Sequence, residues 1–497
     1  MEKKLRITED YLYLPIAKEQ ETVLLEIYVS GGETEKLFEF QIPVGSEKDG
    51  SYPADYYARF PVKKFTDKTL ILKGDMPEAF FDAVENASWR ESAGSLRHPS
   101  IHFTPETGWM NDPNGLVYKD GVYHLYFQYN LFDIRWKNMS WGHAVSRDLL
   151  HWEQRDAVLF PDETGTIFSG SGIVNERACF SLPADALLFF YTAAGGTNPW
   201  SEGKESVQRA AYSVDGGETL EKLGDAGRLP TVCRENRDPK VFWHQESGAY
   251  IMVLWLEEND FGIFRSADLE EWEQSDRLTL DGAFECPDLI EVFDGHGNGH
   301  WMFWCADGYY FWGAFDGWRF WTDGVRHRAY MNGIPYAAQT YAGIVGRVVQ
   351  IPWLRLPNGG RLYTGAMGLP RELSVLERDG EKLLVQKPVR EFAQWKKEHA
   401  VVKKYADEAF EIECVFADGG ELPFAVEKHG EVYYFRVGET KGSYDRAGGR
   451  FTVGEETCLL GADIRDFSFL VDDVIFEVTA DCDTIIGAFA LENTDGR

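Results

Sequence analysis

Apolar and polar positions alternate along most of this chain in short runs rich in Val, Ile, Tyr, Phe and Trp, broken by Gly, Asp and Asn. That period of two, with little helical periodicity, predicts a mainly β protein. Before about residue 95, the runs LYLPI, VLLEIYVS, LFEFQIPV and TLILKG read as strands of a small sandwich. DMPEAFFDAVENASWRES, which follows them, reads as a short helix or linker. After about residue 375, ELSVLERDGEKLLVQKPVREFAQW reads as a connecting segment. Beyond it FEIECVFA, FAVEKHG, VYYFRVG, FSFLVDD and VIFEVTA alternate as strands of a two-sheet sandwich do.

The middle of the chain repeats itself. SRDLLHWEQ at 146–154 returns as SADLEEWEQ at 266–274, and a degenerate copy, SVDGGETLEKL, begins at 213. Apolar strands recur as GVYHLYFQYN from 121, ALLFFYTAAG from 186, GAYIMVLWLE from 248, GHWMFWCADG from 299 and RLYTGAMGLP from 361, at spacings of 65, 62, 51 and 62 residues. Five similar units of this length fit a propeller, each blade a four-stranded antiparallel sheet around a central axis. A large sandwich is the competing arrangement. The expected organisation is therefore an N-terminal β-sandwich module (1–95), a five-bladed β-propeller (96–375), and a linker with a C-terminal β-sandwich (376–497).

Length and composition agree with three globular units. The chain has 497 residues and 72 aromatic side chains, ample for several cores. Acids outnumber bases 81 to 50, a net charge of −31. This argues against nucleic acid or an anionic membrane surface as partner, because both need clustered Lys and Arg. No run of about 18 apolar residues is present to span a membrane. The seven cysteines show no C-x-x-C spacing and the N-terminus has no signal-like apolar core, so the expected location is cytoplasmic. A secreted mature form stays open, as does the oligomeric state.

Candidate chemistry sits at equivalent points of the repeat. The strand before each apolar run opens with a turn-like sequence: Asn111-Asp112-Pro113-Asn114-Gly115 in the first unit, Phe168-Ser169-Gly170 in the second, Arg237-Asp238-Pro239 in the third and Glu285-Cys286-Pro287 in the fourth. From Asp112, Asp238 and Glu285 to the Gly heading the next strand is 9, 10 and 14 residues. The first strand of a propeller blade lines the central channel, so the three acids should meet at one end of the axis. Carboxylates that close cannot all ionise freely, and at least one pKa should rise. An ionised carboxylate beside a protonated one is the pair that glycosidic cleavage needs. Each acid also has a structural reading: Asp112 in a tight turn, Asp238 paired with Arg237, Glu285 ending a strand.

At these residues the sequence resembles glycoside hydrolase family 32, the invertases, levanases, inulinases and other β-fructofuranosidases. HFTPETGWMNDPNGLVY (102–118), RDPKVFW (237–243) and ECPDL (285–289) are similar to its three motifs, in the same order, and FSGSGIV, YFQYN, WGHAVSRDLLHW, YAAQTY and LPREL fit as well. The leading module resembles a β-sandwich attached to some bacterial levanase-like proteins, there for packing or for sugar binding. The resemblance implies a retaining glycoside hydrolase that cleaves terminal β-D-fructofuranosides of fructans, fructo-oligosaccharides and sucrose. It implies Asp112 as nucleophile, Glu285 as acid/base and Asp238 as transition-state stabiliser, with Arg237 helping to keep Asp238 ionised. The nucleophile and acid/base carboxyls of a retaining enzyme stand roughly 5–5.5 Å apart. Asn111, Gln128 and Ser169 would bond fructose hydroxyls, and Trp136 and Phe168 would wall the innermost subsite. Trp353 matches a family Trp, with Pro352 in place of the usual Gly. Tyr341, where many relatives carry Trp or Phe, would alter the outer subsites. No metal or other cofactor is required.

Fructosyl transfer, endo action, and hydrolysis of phosphorylated sugars remain open on these residues, as does preference for β-2,1 or β-2,6 linkages. An inverting five-bladed glycosidase would lack the Trp-Met-Asn-Asp-Pro-Asn-Gly and Glu-Cys combination. A non-catalytic sugar-binding propeller would lack one of the acids.

Overall fold

The computed structural model describes the chain except residues 91–96, 418, 420, 421, 463 and 492–497. The boundary expected at 95 lies outside the described residues. The architecture is all-β, with two short α-helices, Glu78–Ala83 and Arg390–His399, among the described residues. Neither is long and apolar enough to cross a membrane.

The leading residues form a four-stranded and a three-stranded sheet that share one core. Five antiparallel sheets follow in sequence, the repeat's five blades. Each begins with an innermost strand: Gly108–Lys119, Thr166–Val174, Arg237–His244, Asp288–Phe293 and Pro335–Thr340. The last sheet returns to the first, where Tyr118 N donates to Ala342 O and Ala342 N to Leu116 O. This closure leaves no open edge between the end blades. The innermost strands are joined across the axis by polar side chains. Asn114 Oδ1 accepts from Gly170 N, Ser171 Oγ donates to Pro239 O, and Lys240 Nζ donates to Thr340 O. Asp288 accepts from Thr340 N and faces Lys240 at 3.1 Å. A buried Lys and a buried Asp are tolerable there because each is paired and hydrogen-bonded.

The sequence repeat has a local cause. In both full copies the Ser hydroxyl accepts from the Leu three residues on, and the Asp carboxylate caps the next two amides. The Trp indole then donates back to the Leu carbonyl. Leu149 and Leu269 adopt φ of 66° and 70°, unusual for a branched side chain. The network holds that turn between the third and fourth strands of a blade.

The fifth sheet differs from expectation. Its second strand is Val348–Leu354, not the run from 361, and Arg371–Arg378 and Glu381–Pro388 complete it. The segment read as a connector thus supplies two blade strands, and pairing runs past residue 375 to Pro388. Arg390–His399 is the connecting helix, and two five-stranded sheets follow as the trailing sandwich. RLYTGAMGLP instead yields two-residue pairings with the first and fifth sheets.

A buried charge cluster ties the trailing sandwich to the propeller. The His102 ring faces Asp472 at 2.8 Å through Nδ1 and Glu477 at 3.3 Å through Nε2. Arg371 pairs with the other oxygen of Glu477. Both ring nitrogens face carboxylates, which favours the doubly protonated imidazolium.

Candidate active site

Four of the five innermost strands share one irregularity. Pairing slips by one extra residue between Met110 and Pro113, Ile167 and Gly170, Arg237 and Lys240, and Tyr336 and Gln339. These are β-bulges, which redirect side chains out of the alternating pattern. The residues they contain are Asn111-Asp112, Phe168-Ser169, Asp238-Pro239 and Ala337-Ala338. In the fourth blade Glu285 and Cys286 take φ of 47° and 41° just ahead of the strand, and Asp238 takes 65°. Non-glycine residues in that region carry strain, which tertiary contacts must hold. The turns read from Asp-Pro and Glu-Cys-Pro are thus bulges and strand entries at one end of the axis.

Their side chains line one cavity of about 210 Å³. It contains all ten residues expected: Asn111, Asp112, Gln128, Trp136, Phe168, Ser169, Arg237, Asp238, Glu285 and Trp353. Ser169 Oγ donates to Asp112 Oδ2 at 2.7 Å, and Gln128 Nε2 lies 3.3 Å from Ser169 Oγ. Trp109 Nε1 fixes Asn111 Oδ1 at 2.8 Å. Asp238 Oδ2 accepts from Cys286 N at 3.1 Å, and the Cys286 thiol reaches Asp238 at 3.5 Å and Asp112 at 3.9 Å. Trp136 and Phe168 meet edge to face at 6.1 Å, with Trp136 47% exposed. Trp353 keeps its place despite Pro352, pairing with Tyr336 in the sheet, and its indole N–H has no protein partner.

Two expectations are corrected. Arg237 donates through Nε and Nη2 to Glu285 Oε1, at 2.9 and 2.5 Å, rather than to Asp238. Its guanidinium carbon lies over Trp255, 3.9 Å from the ring centre. The Arg237 charge still favours ionised Asp238, as expected, but burial, with Glu285 and Asp112 nearby, outweighs it and pushes the group up to about 7. Asp112 is also raised, by burial, against the lowering effect of Ser169 and Asn111. Tyr341 lies outside the cavity; it is buried in the core, edge-on to Tyr123 at 5.7 Å.

Tyr336 is the site residue that motif reading missed. Its hydroxyl donates to Glu285 Oε2 at 2.7 Å, so both carboxylate oxygens are occupied. It opens YAAQTY, as the residue just ahead of the fifth blade's bulge, where Arg237 stands in the third. Among the described residues no three His, Cys, Asp or Glu side chains group so as to hold a metal.

A family model described as glycosyl hydrolases family 32 N-terminal domain matches residues 102–388, more than half of the chain. The chain belongs to that family. Among family 32 relatives, a levanase of Bacillus subtilis is 33% identical over 421 residues, 75% of this chain and 60% of the levanase. An invertase of Schizosaccharomyces pombe is 37% identical over 39% of this chain and 35% of its own. An extracellular exo-inulinase of Aspergillus niger is 31% identical over 61% and 66%. The chain thus spans less than two thirds of each of these relatives. Solved structures show the family 32 fold. Exo-inulinase from Aspergillus awamori gives a TM-score of 0.67 at 23% identity, over 80% of this chain and 94% of that one. A family 32 glycoside hydrolase from Bifidobacterium adolescentis covers 100% of this chain and 96% of its own, with a TM-score of 0.62 at 17% identity. That match takes in the leading module.

Proposed function

We propose that the protein is a retaining β-fructosidase that releases terminal fructose from fructans, fructo-oligosaccharides and sucrose. The observation that carries this reading is the convergence of Asp112, Asp238 and Glu285 on one small pocket in a family 32 chain. Asp112 attacks the anomeric C2 of a fructosyl unit while Glu285 protonates the departing glycosidic oxygen. Water, deprotonated by Glu285, then displaces Asp112 from the covalent intermediate with overall retention. Asp238 accepts hydrogen bonds from sugar hydroxyls and stabilises the oxocarbenium-like transition state. Burial, with Glu285 and Asp112 nearby, raises the Asp238 carboxyl to about 7. Donation from sugar hydroxyls favours ionised Asp238. Asn111, Gln128 and Ser169 orient the ring, and Trp136 and Phe168 cover its apolar face. The substrate preference is supported by the levanase, invertase and exo-inulinase relatives.

The test is product profiling on sucrose, inulin and levan, with NMR of the first anomer formed. Fructose alone, appearing first as the β-anomer, is the expected result. An inverted anomer, or no release from any of the three, overturns the reading.

A further inference from the structure

The wall of the pocket is held from outside the propeller. Trp136 sits on the segment joining Val122–Asn130 to Ser140–Ser146. The propeller secures this segment at Ile134 O, which accepts from Thr364 Oγ1, and at Arg135 O, which accepts from Asn130 Nδ2. The other anchors come from the leading module. Phe132, fully buried, packs 4.4 Å from the ring centre of Phe40 and 6.0 Å from that of Phe60. The Asn138 amide makes a two-point contact with the backbone of Gln41, accepting from its N and donating to its O at 2.8 Å each. Gln41 lies on Glu35–Pro43, the edge strand of its sheet, so Asn138 occupies an otherwise unpaired edge. Arg135 Nη2 donates to Gln20 O at 2.7 Å. Trp136 is thus bracketed in sequence by residues docked on the module.

The module also reaches the other half of the wall. Glu39, buried and paired with Lys36, accepts from Trp200 N at 2.6 Å. That loop returns through Thr197, whose hydroxyl lies 2.7 Å from that of Thr166, at the start of the strand carrying Phe168. Both aromatic faces of the pocket therefore trace back to one sheet of the leading module.

We propose that the N-terminal module is a positioning element of the active site: through Phe40 and the Gln41 backbone it sets where Trp136 stands against Phe168. This rests on the fructosidase reading for its substrate, and deepens it by giving the module a task. A half-exposed indole on an unsupported loop must be ordered each time substrate binds. The docked segment meets that cost on folding, so the sugar finds a wall already in place. Phe40 touches no substrate; it acts through Phe132 and the segment that follows.

The experiment compares Phe40→Leu and Asn138→Gly with the unsubstituted protein, each in a Trp136 and a Trp136→Ala background. Hydrogen exchange should accelerate in peptides covering 131–139 while the remaining blades keep their protection. KM for sucrose should rise by about 2- to 10-fold, the cost of re-ordering one or two side chains, with a smaller change in kcat. In the Trp136→Ala background the same substitutions should add nothing, because the residue they position is gone. Unchanged exchange in 131–139, or an equal loss in both backgrounds, overturns the proposal and leaves the module as packing alone. If Phe40→Leu fails to fold, Asn138→Gly decides: it removes the amide's bonds to the Gln41 backbone and to Asn130 Oδ1, and Gly tolerates the φ of 49° found there. If the unsubstituted protein hydrolyses no fructoside, the fructosidase reading fails, while the exchange data still judge the coupling of module to loop.

Discussion

Arg237 and Glu285 are joined by two hydrogen bonds that converge on a single carboxylate oxygen, 2.9 Å from Nε and 2.5 Å from Nη2. With Tyr336 on the other oxygen, the Glu285 carboxyl is fixed in plane and direction. A group that must give a proton to a leaving oxygen and later take one from water gains from such orientation. The cost falls on Asp238, which loses the guanidinium as a direct partner.

Tyr336→Phe should lower kcat/KM on sucrose by about 10- to 100-fold, the worth of one hydrogen bond to a charged group. The loss should fall mainly on kcat, because the phenol touches Glu285 rather than holding substrate alone. Steady-state kinetics checks this; an unchanged kcat would remove Tyr336 from the machinery.

Glu285→Gln should cost about 10²- to 10⁴-fold on sucrose. Fructosides with activated leaving groups, which need little protonation, should suffer far less in the glycosylation step. Equal losses on both would count against Glu285 as the acid.

Asp112→Asn should reduce hydrolysis by roughly 10⁴-fold or more, as loss of a covalent nucleophile does. The fold should persist, since Asn keeps an oxygen for the Ser169 hydroxyl. Circular dichroism and a thermal melt alongside the assay separate lost chemistry from lost structure.

Asp238 makes stability depend on pH. Its folded pKa, about 7, lies above its ordinary value of 3.8. Across that interval the folded protein keeps a proton that the unfolded chain releases, so stability falls as pH rises from about 4 to 7. Asp238→Asn should abolish this dependence, and raise Tm more at pH 8 than at pH 4. A uniform change in Tm at both pH values would show that the group is ionised throughout.

The His102 cluster adds a decline of the same sign at higher pH, and Glu477 within it one of the opposite sign. His102 rises from 6.5 to about 9, because its bonds to Asp472 and Glu477 outweigh burial. That contribution is complete below about pH 6.5 and is lost as pH climbs through 9. Glu477, held near 2 despite burial by Arg371 and His102, contributes above its ordinary 4.5 and loses this as pH falls toward 2. His102→Gln should cost about 3–5 kcal/mol near neutrality by leaving a buried carboxylate uncompensated. Its thermal stability should also lose the decline between pH 7 and 9.5.

The sequence by itself determined the class of fold, the five-fold repeat and which three acids line one cavity. These features are local or periodic: alternation marks strands, and Asp148 and Asp268 cap their turns with neighbours two and three residues away. Pro113, Pro239 and Pro287 marked the right places as well, although what they punctuate are bulges and strand entries rather than free turns. The limits of the fifth blade were harder to read. Arg371–Arg378 and Glu381–Pro388 alternate like any two-stranded hairpin, and only pairing with Val348–Leu354 makes them part of it. Which oxygen Arg237 serves, and that Tyr336 serves the other, follows from how two bulges on separate blades aim at a third. The raised Asp238 depends on burial, a property of the assembled axis. The docking of Trp136 depends on contacts nearly a hundred residues apart in sequence, between Gln41 and Asn138. Such relationships come from closing the ring and seating the module, so only the tertiary structure could decide them.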